Sequence, residues 1–448
     1  MTSNRQPILR DLGEGLLMRR ATRADAKALI EFNAHVFRQG DSVEPNPAAA
    51  AYTNDLIGRP HPTFRPGDFT LVVEAGSGKI VSSMNLISQI WTYAGIPFNV
   101  GRPELVGTLP EYRNRGLVRA QFEVIHQWSA QRGELLQAIT GIPHYYRRFG
   151  YEMTMNLGGG RAGFRAHIPK LEEGQTEPYP IRPAVEADIP FIMELYAQGC
   201  GRSLVSVVRD ENLWRYELSG RSRENPNCNE LRLIQTPSGE PIGFFAHPSY
   251  AWGAMMAATW YEVKAGVSWA EVTPGVIRYL QSVHPNALSE RKKEEFDAFG
   301  FWLGEEHPVY KIMLDRLPRV RKPYAWYLRV PDLAGFIRYI APVLESRLEA
   351  SSLAGHSGEH RLTFYRDGLR LVFEKGRLTQ VENWQPQPDW GSGEAAFPGL
   401  TFLQLLFGYR SLEELRYAFV DCWVEGDTTH ALLEILFPRQ PSDLWPIS

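Results

Sequence analysis

Cysteine is scarce in this chain of 448 residues: Cys200, Cys228 and Cys422 are the three present, odd in number and far apart. That spacing offers neither a disulfide framework nor a thiolate metal site, so reduced thiols in a cytoplasmic protein are the expectation. No run of about 18 apolar residues offers a membrane span. The opening stretch MTSNRQPILRDLGEG has no apolar segment of the secretory kind. Charge of one sign is missing as well. A net charge of −3 argues against a surface dominated by nucleic-acid phosphates and sits more easily with a small cationic substrate. HExxH, paired-cysteine zinc spacings and a serine elbow are all absent, so no metal is expected.

What is present is core material for about three domains and a weak internal repeat. Residues 19–31 (RRATRADAKALIE) and 182–194 (RPAVEADIPFIME) share Arg, Ala, Ala, Asp and Glu at the same offsets. In each copy a short strand precedes a helix, with Asp25 or Asp188 near its positive end. Two copies of one α/β domain are expected. Within the first, 69–75 and 79–94 read as strands around the turn AGSGK (75–79), which is no phosphate loop because no glycine stands five residues before Gly78 and Ile80 replaces the Ser/Thr. A strand over 104–110, a helix over 115–132 and a strand over 135–140 follow, and Pro143 opens a short helix. Alternating strands and helices point to an α/β sandwich. GGG at 158–160 reads as a flexible connection and RLPRVRKP (316–323) as a solvated hinge. Beyond it, 361–382 alternates as antiparallel strands with Asp-Gly and Lys-Gly turns, and helices near 399–407 and 411–418 complete a third, α+β unit.

The chemistry concentrates at LVGTLPEYRNRGLVRAQFEVIHQW, residues 105–128. Arg113, Arg115, Gly116, Leu117 and Val118 make an R-x-x-G-x-small turn between a strand and a helix. Such a turn presents unpaired N–H groups at the positive end of the helix, a natural cradle for diphosphate. Gly116 removes the Cβ that would hold phosphates off. Arg113, Arg115 and Arg119 can each add a charge-assisted hydrogen bond of roughly 1.5–3 kcal/mol. The ordinary alternative is a basic helix start with no ligand. The second copy reads VSWAEVTPGVIRYLQ (267–281) at the matching place, with neither the basic pair nor a glycine at the required offset, so it is expected to be a degenerate scaffold. Dispersed histidines, His144 among them, read as packing or polar-rim residues.

The turn resembles the coenzyme-A loop of the GNAT acetyltransferase superfamily. Asn114-Arg115-Gly116-Leu117-Val118-Arg119 is similar to the R-R-G-L-L-R of its Eis-type (enhanced intracellular survival) members, and HYYRRFGYE (144–152) to their Y-x-R-F-G-Y segment. The resemblance implies two tandem GNAT folds and then a sterol-carrier-protein-like α+β domain, over residues 1–160, 161–318 and 319–448. It implies an acetyl-CoA-dependent N-acetyltransferase acting on a primary amine (aminoglycoside, polyamine or lysine-like), possessing no metal and assembling as a homo-oligomer, a hexamer in that family. Val106, Gly107 and Thr108 would pair with the pantetheine arm, and the 113–119 turn would grip the diphosphate. Tyr146 would be the general acid. A phenol near pKa 10 protonating a thiolate near 8.5 is uphill by roughly 2 kcal/mol. The base would be the carboxylate of Ser448, or else Glu104 acting through water; an amine near 10.4 costs roughly 4–5 kcal/mol to deprotonate at neutral pH. Two other classes stay open: a lipid carrier built on the third domain, and an acetyl-CoA sensor without catalysis.

Overall fold

The structure is a computed structural model and describes residues 8–38, 40, 42–289, 294–387 and 393–448. The first stretch gives β1 (Ile8–Gly13), β2 (Leu16–Arg20), α1 (Ala26–Val36), α2 (Pro47–Gly58), β3 (Phe69–Glu74), β4 (Ile80–Tyr93), β5 (Ile96–Thr108), α3 (Leu117–Gln131), β6 (Leu136–Ile139) and β7 (Glu152–Leu157). Next come β8 (Gly160–Phe164), β9 (Ile181–Pro183), α4 (Ile189–Cys200), β10 (Val205–Val207), α5 (Glu211–Arg215), β11 (Asn229–Gln235), β12 (Pro241–Pro248), β13 (Met255–Ala258), β14 (Trp260–Val263), α6 (Trp269–Val283), β15 (Ala298–Phe301), α7 (Pro308–Ile312) and β16 (Arg319–Arg321). The rest comprises β17 (Tyr324–Arg329), α8 (Leu333–Tyr339), α9 (Ala341–Glu349), β18 (Gly358–Thr363), β19 (Gly368–Glu374), β20 (Arg377–Trp384), β21 (Ala395–Ala396), α10 (Phe402–Leu406), α11 (Leu412–Ala418), β22 (Trp423–Val424) and α12 (Asp427–Leu436).

The internal repeat is visible in side-chain detail. Asp25 caps the turn into α1 by accepting from Thr22 N at 2.8 Å, and pairs with Arg19 at 2.6 Å. Asp188 does the same ahead of α4, accepting from Val185 N at 2.8 Å and pairing with Arg182 at 2.7 Å. The shared arginine and aspartate therefore encode one device twice: a carboxylate that satisfies an orphan N–H group while an arginine on the preceding strand fixes it.

The principal sheet runs β1-β2-β3-β4-β5-β6-β17-β7, with β10 also on β4. Strands β14-β12-β11-β9 and β13-β15-β8-β16 form two further sheets, and β20-β19-β18-β21-β22 a fourth. Three strands cross between copies, β10 onto β4 and two where the chain changes copy. After β7 the chain passes to the second copy as β8, paired with β15 and β16. It returns as β17, inserted antiparallel between β6 and β7.

That crossing alters two sequence expectations. The 158–160 glycines are not a loose connection: a Cβ at Gly159 would lie 2.8 Å from Pro323, and one at Gly160 2.0 Å from the Phe301 carbonyl oxygen. They are glycine because two backbones cross there. Nor is 316–323 only a solvated hinge, since Arg319–Arg321 forms β16 and Arg321 lies 4.4 Å over the Trp302 ring. A stacked guanidinium on an edge strand looks, in sequence, like a basic linker.

The third unit packs its helices against the far end of the β4–β5 hairpin. Tyr93, Phe98, Phe336 and Phe407 are fully buried there in edge-to-face or tilted contacts, and each phenylalanine contributes about 2–3 kcal/mol by leaving water. After α12 the chain threads back through the interior. Val205 N donates to Ser442 Oγ at 2.9 Å, Trp326 Nε1 to the Leu444 carbonyl at 3.2 Å, and Arg209 Nη2 to the Trp445 carbonyl at 2.9 Å. A buried irregular segment is tolerable only with such partners.

Candidate active site

Strand β5 pairs with β6 in parallel only at Val100–Leu136 and Gly101–Gln137. Beyond that point the two strands part, and the edge of β5 facing β6 is left without a strand partner through Val106, Gly107 and Thr108. On the other edge β5 carries a bulge. Leu105 and Val106 stand opposite Met84 alone, and Leu105 takes φ +50°. The strand bends there, as bulges do, at the mouth of the opening. A leucine carries no sequence signal for a left-handed backbone, so the bulge was not legible in advance.

The basic turn sits at the end of that strand. Asn114 (φ +62°) and Gly116 (φ +75°) are both left-handed, and Gly116 caps α3 without any side-chain bond. The N–H groups of Leu117, Val118 and Arg119 in the first helical turn have no acceptor within the helix. A Cβ on Gly116 would meet nothing within 4 Å, so the space above the turn is open. Arg113, Arg115 and Arg119 are exposed. Arg115 has only a loose ion pair with Glu14 at 3.5 Å and lies 5.0 Å over Tyr112; Arg119 lies 5.6 Å over Phe149. Among the described residues Arg113 forms no ion pair. Three cations without strong partners, around a concave run of N–H groups, make a site for a polyanion.

Tyr146 comes from the other side of the opening, on the short helix Tyr145–Phe149. It is buried, with its ring against Phe122, Tyr145, Tyr151 and Tyr327. Its hydroxyl makes no hydrogen bond among the described residues. It lies 3.2 Å from where a Cβ on Gly141 would stand, so that glycine makes room for it. The loop is held from β17: Tyr327 Oη accepts from the His144 N–H at 3.1 Å, where His144 has φ +64°. Burial pushes the Tyr146 hydroxyl pKa up, and the Glu104 carboxylate and the neighbouring Tyr145 and Tyr324 push it further. It stays protonated at any physiological pH. Tyr151 is instead hydrogen-bonded to His126 Nε2 at 2.9 Å and is a packing residue, as is Tyr145.

Glu104 is not a free carboxylate. It forms an ion pair with Arg102, whose Nη1 also donates to the Ile447 carbonyl at 3.2 Å. Arg102 therefore ties Glu104 to the last residues of the chain. Ser448 is fully buried. Its backbone oxygen accepts from Arg221 Nε at 3.0 Å and Tyr216 Oη at 3.1 Å, and Gln89 Nε2 holds the Ile447 carbonyl at 2.9 Å. Arg221 and Arg209 share Glu217 in a buried network. Burial opposes ionisation of Glu217, but the charges of Arg221 and Arg209 prevail and hold its carboxyl below the usual range. Tyr52 faces the same cluster; burial, and then Glu104, push it up to about 12. His61 stacks edge-on to Tyr216 at 4.5 Å, and burial and the Arg221 charge drop it to about 4, so it is neutral. Pro60–Thr63, Gln89, Ile90 and Tyr216 line a cavity of about 580 Å³ beside this cluster.

Arg102, Gln89, Tyr216 and Arg221 are functional candidates that sequence reasoning missed. They lie far apart in the chain, and no motif links them. The one signal available was the resemblance that pointed to Ser448 itself.

Residues 18–154 match the family profile described as an acetyltransferase (GNAT) domain. A search of curated proteins returned no match. Solved structures share the fold over nearly the whole chain. A conserved protein of unknown function from Enterococcus faecalis, described as a probable N-acyltransferase, aligns with a TM-score of 0.63 at 15% identity, over 95% of this chain and 97% of that one. A GCN5-related N-acetyltransferase from Anabaena variabilis gives 0.61 at 15% identity, over 96% and 99%. Eis1 from Mycobacterium abscessus gives 0.55 at 13% identity, over 95% and 98%. The parted strands, the bulge and the cationic turn all fall inside or at the walls of the matched segment, residues 18–154, which is similar to an acetyltransferase (GNAT) domain.

Proposed function

We propose that the chain is an acetyl-CoA-dependent N-acetyltransferase for a small primary amine, working by direct transfer in the opening between β5 and β6. The observation that carries this is the left-handed turn at Asn114–Gly116, with three weakly partnered arginines, set at the end of an unpaired strand edge. Arg113, Arg115 and Arg119, with the N–H groups from Asn114 to Val118, would take the diphosphate. Val106, Gly107 and Thr108 would pair with the pantetheine arm, and the bulge at Leu105 would turn backbone toward the thioester carbonyl. The amine nitrogen forms the new bond to the acetyl carbon, the carbon–sulfur bond breaks, and Tyr146 gives its proton to the departing thiolate.

For the proton leaving the amine we assign the carboxylate of Ser448 rather than Glu104. Charge bookkeeping supports this. Among the described residues, buried Arg102, Arg209 and Arg221 form ion pairs with Glu104 and Glu217 alone, while nearby Asp55 is matched by Arg59; one positive charge is left that a terminal carboxylate at Ser448 would neutralise. Buried charge without a counter-charge costs several kcal/mol. Glu104 is already committed to Arg102. The neighbouring 580 Å³ cavity would receive the acceptor, and the third, sterol-carrier-like unit would serve to deliver the tail. A homo-oligomer, hexameric by resemblance, and a cytoplasmic location belong to the same proposal.

The test is thiol release from acetyl-CoA with a panel of aminoglycosides, polyamines and lysine derivatives. At least one amine should give turnover, and coenzyme binding without turnover on any amine would favour a sensor. Adding one or two glycines after Ser448 should abolish turnover while acetyl-CoA still binds. A fully active extended enzyme would remove Ser448 from the mechanism.

A further inference from the structure

The second copy contains the same parting of strands as the first, and there it opens into a cavity of about 980 Å³. Strand β13 pairs in parallel with β15 from Met255–Ala298 to Ala258–Phe301. The chain then bends at Thr259, and β14 continues paired to β12 alone. The cavity lies between Thr259–Glu262 on one side and Leu303–Pro308 on the other, with the tail residues Pro441–Trp445 as a third wall. It cannot grip a diphosphate. Helix α6 opens on Trp269, whose ring packs on Tyr261 at 4.8 Å and on His307 at 5.1 Å. An aromatic plug stands where the first copy has its open glycine turn.

Two groups in this cavity have unmet demands of opposite charge. The Asp443 carboxyl receives no hydrogen bond among the described residues, and its Oδ1 is shut off from solvent. It packs over Gly304, where a Cβ would come within 2.9 Å of it. Arg161 also lines the cavity and forms no ion pair among the described residues. Both act electrostatically on Tyr310, from which they pull in opposite directions, yet they do not pair with each other. The other charges are accounted for. Glu262 is held by Arg202, with His307 at 3.7 Å; Glu305 takes Arg439 at 2.9 Å; and Glu306 and Lys311 are exposed at the rim. The indole N–H of Trp445 also lacks an acceptor. A carboxyl oxygen shut off from solvent without a donor is costly, and desolvation pushes Asp443 up to about 7, the Arg202 charge offsetting this in part.

We infer that this cavity binds a small zwitterion of the amino-acid type, its ammonium group on Asp443 and its carboxylate on Arg161. The ammonium takes the place of the proton that burial leaves on Asp443, and the carboxylate fills the fork of Arg161, a geometry to which guanidinium is suited. Tyr196, Phe244, Trp260 and Trp445 on the walls favour an apolar or aromatic side chain. The inference stands independently of the acetyl-transfer reading, because binding is measured directly.

The experiment is titration calorimetry of the full chain with the twenty common amino acids at millimolar concentration, followed by thermal shift. One or a few should bind and raise the melting temperature. Their decarboxylated amines and their deaminated acids should bind at least about ten-fold more weakly, the loss expected for one charge-assisted contact. Asp443→Asn and Arg161→Gln should each weaken binding by a similar factor, with acetyl-CoA affinity kept as the sign of a folded chain. Failure of all twenty to bind would overturn the inference. So would equal binding of the amine analogues to the wild-type protein, a comparison that needs no variant to fold.

Discussion

Replacing Tyr146 by phenylalanine removes one oxygen atom and, on this structure, no hydrogen bond. The ring contacts with Phe122, Tyr145, Tyr151 and Tyr327 are kept. Deleting a buried hydroxyl that has no partner should therefore leave stability within about 1 kcal/mol of wild type, or raise it. The catalytic effect should be far larger. A phenol at its ordinary pKa already gives its proton to coenzyme-A thiolate uphill by roughly 2 kcal/mol, and burial together with Glu104 raises that cost. An uncatalysed departure of the thiolate costs more, and loss of a positioned general acid lowers kcat by about 10²–10⁴, or roughly 3–5 kcal/mol of barrier. Continuous thiol detection with the best amine of the panel gives kcat, the coenzyme KM should change little, and a melting curve reports the fold. The pH profile adds a second reading. Because the shift is upward, the acid form persists as pH rises, so the wild-type kcat should not fall before about pH 10. A kcat within about three-fold of wild type would refute the reasoning, since that is under 1 kcal/mol of barrier. So would a fall in kcat accompanied by an equal loss of stability, which would make Tyr146 a packing residue.

Gly116→Ala should cost only about 1–2 kcal/mol of backbone strain, because its left-handed φ is tolerated poorly by L-residues and nothing else lies within 4 Å. Acetyl-CoA should bind at least about ten-fold more weakly, and an unchanged dissociation constant by calorimetry would move the diphosphate elsewhere. Gly160→Ala should be much worse, more than about 3 kcal/mol in chemical denaturation, since its Cβ would sit 2.0 Å from the Phe301 carbonyl oxygen; a wild-type midpoint would mean that the crossing is looser than drawn. Asp443 gives a pH prediction. Its carboxyl is raised from 3.8 to about 7 in the folded chain, so the folded state binds the extra proton. The resulting stabilisation is fully present below about pH 4 and is lost as pH rises through 7, on the order of 4 kcal/mol in all. Denaturation midpoints at pH 5 and pH 8 (about two units below and one above the transition) should differ less in Asp443→Asn than in wild type, and equal differences would show an ordinary carboxyl.

The parts of the site that were legible in the sequence are those made by consecutive residues. Arg113 to Arg119 form one turn whose electrostatics follow from the order of basic residues, glycine and helix. The duplicated Arg19–Asp25 and Arg182–Asp188 devices are likewise six residues apart on each copy. What stayed hidden depends on long-range pairing. The stretch YAWYLR (324–329) is a short apolar run, and nothing in it says that it enters the first sheet between β6 and β7. The glycines at 159 and 160 read as flexible because a tight crossing and a loose linker both require glycine. The cluster around Ser448 draws on residues 52, 61, 89, 102, 216 and 221, each a single unremarkable position until the fold brings them together.

That cluster also explains why a second copy without a phosphate turn is retained. It supplies Arg209, Tyr216 and Arg221, which donate to the Trp445 and Ser448 backbone oxygens, and Glu217, which pairs with both arginines. The first copy supplies Gln89 and Arg102, and the third unit supplies the tail. None of the three can assemble the cluster alone. A buried irregular segment of this kind needs a donor for every carbonyl and a counter-charge for every guanidinium, and the donors arrive from two domains. The strand opening of the second copy has Pro441–Trp445 of the tail as a wall, and the same tail runs on to Ile447, whose carbonyl Gln89 and Arg102 of the first copy hold.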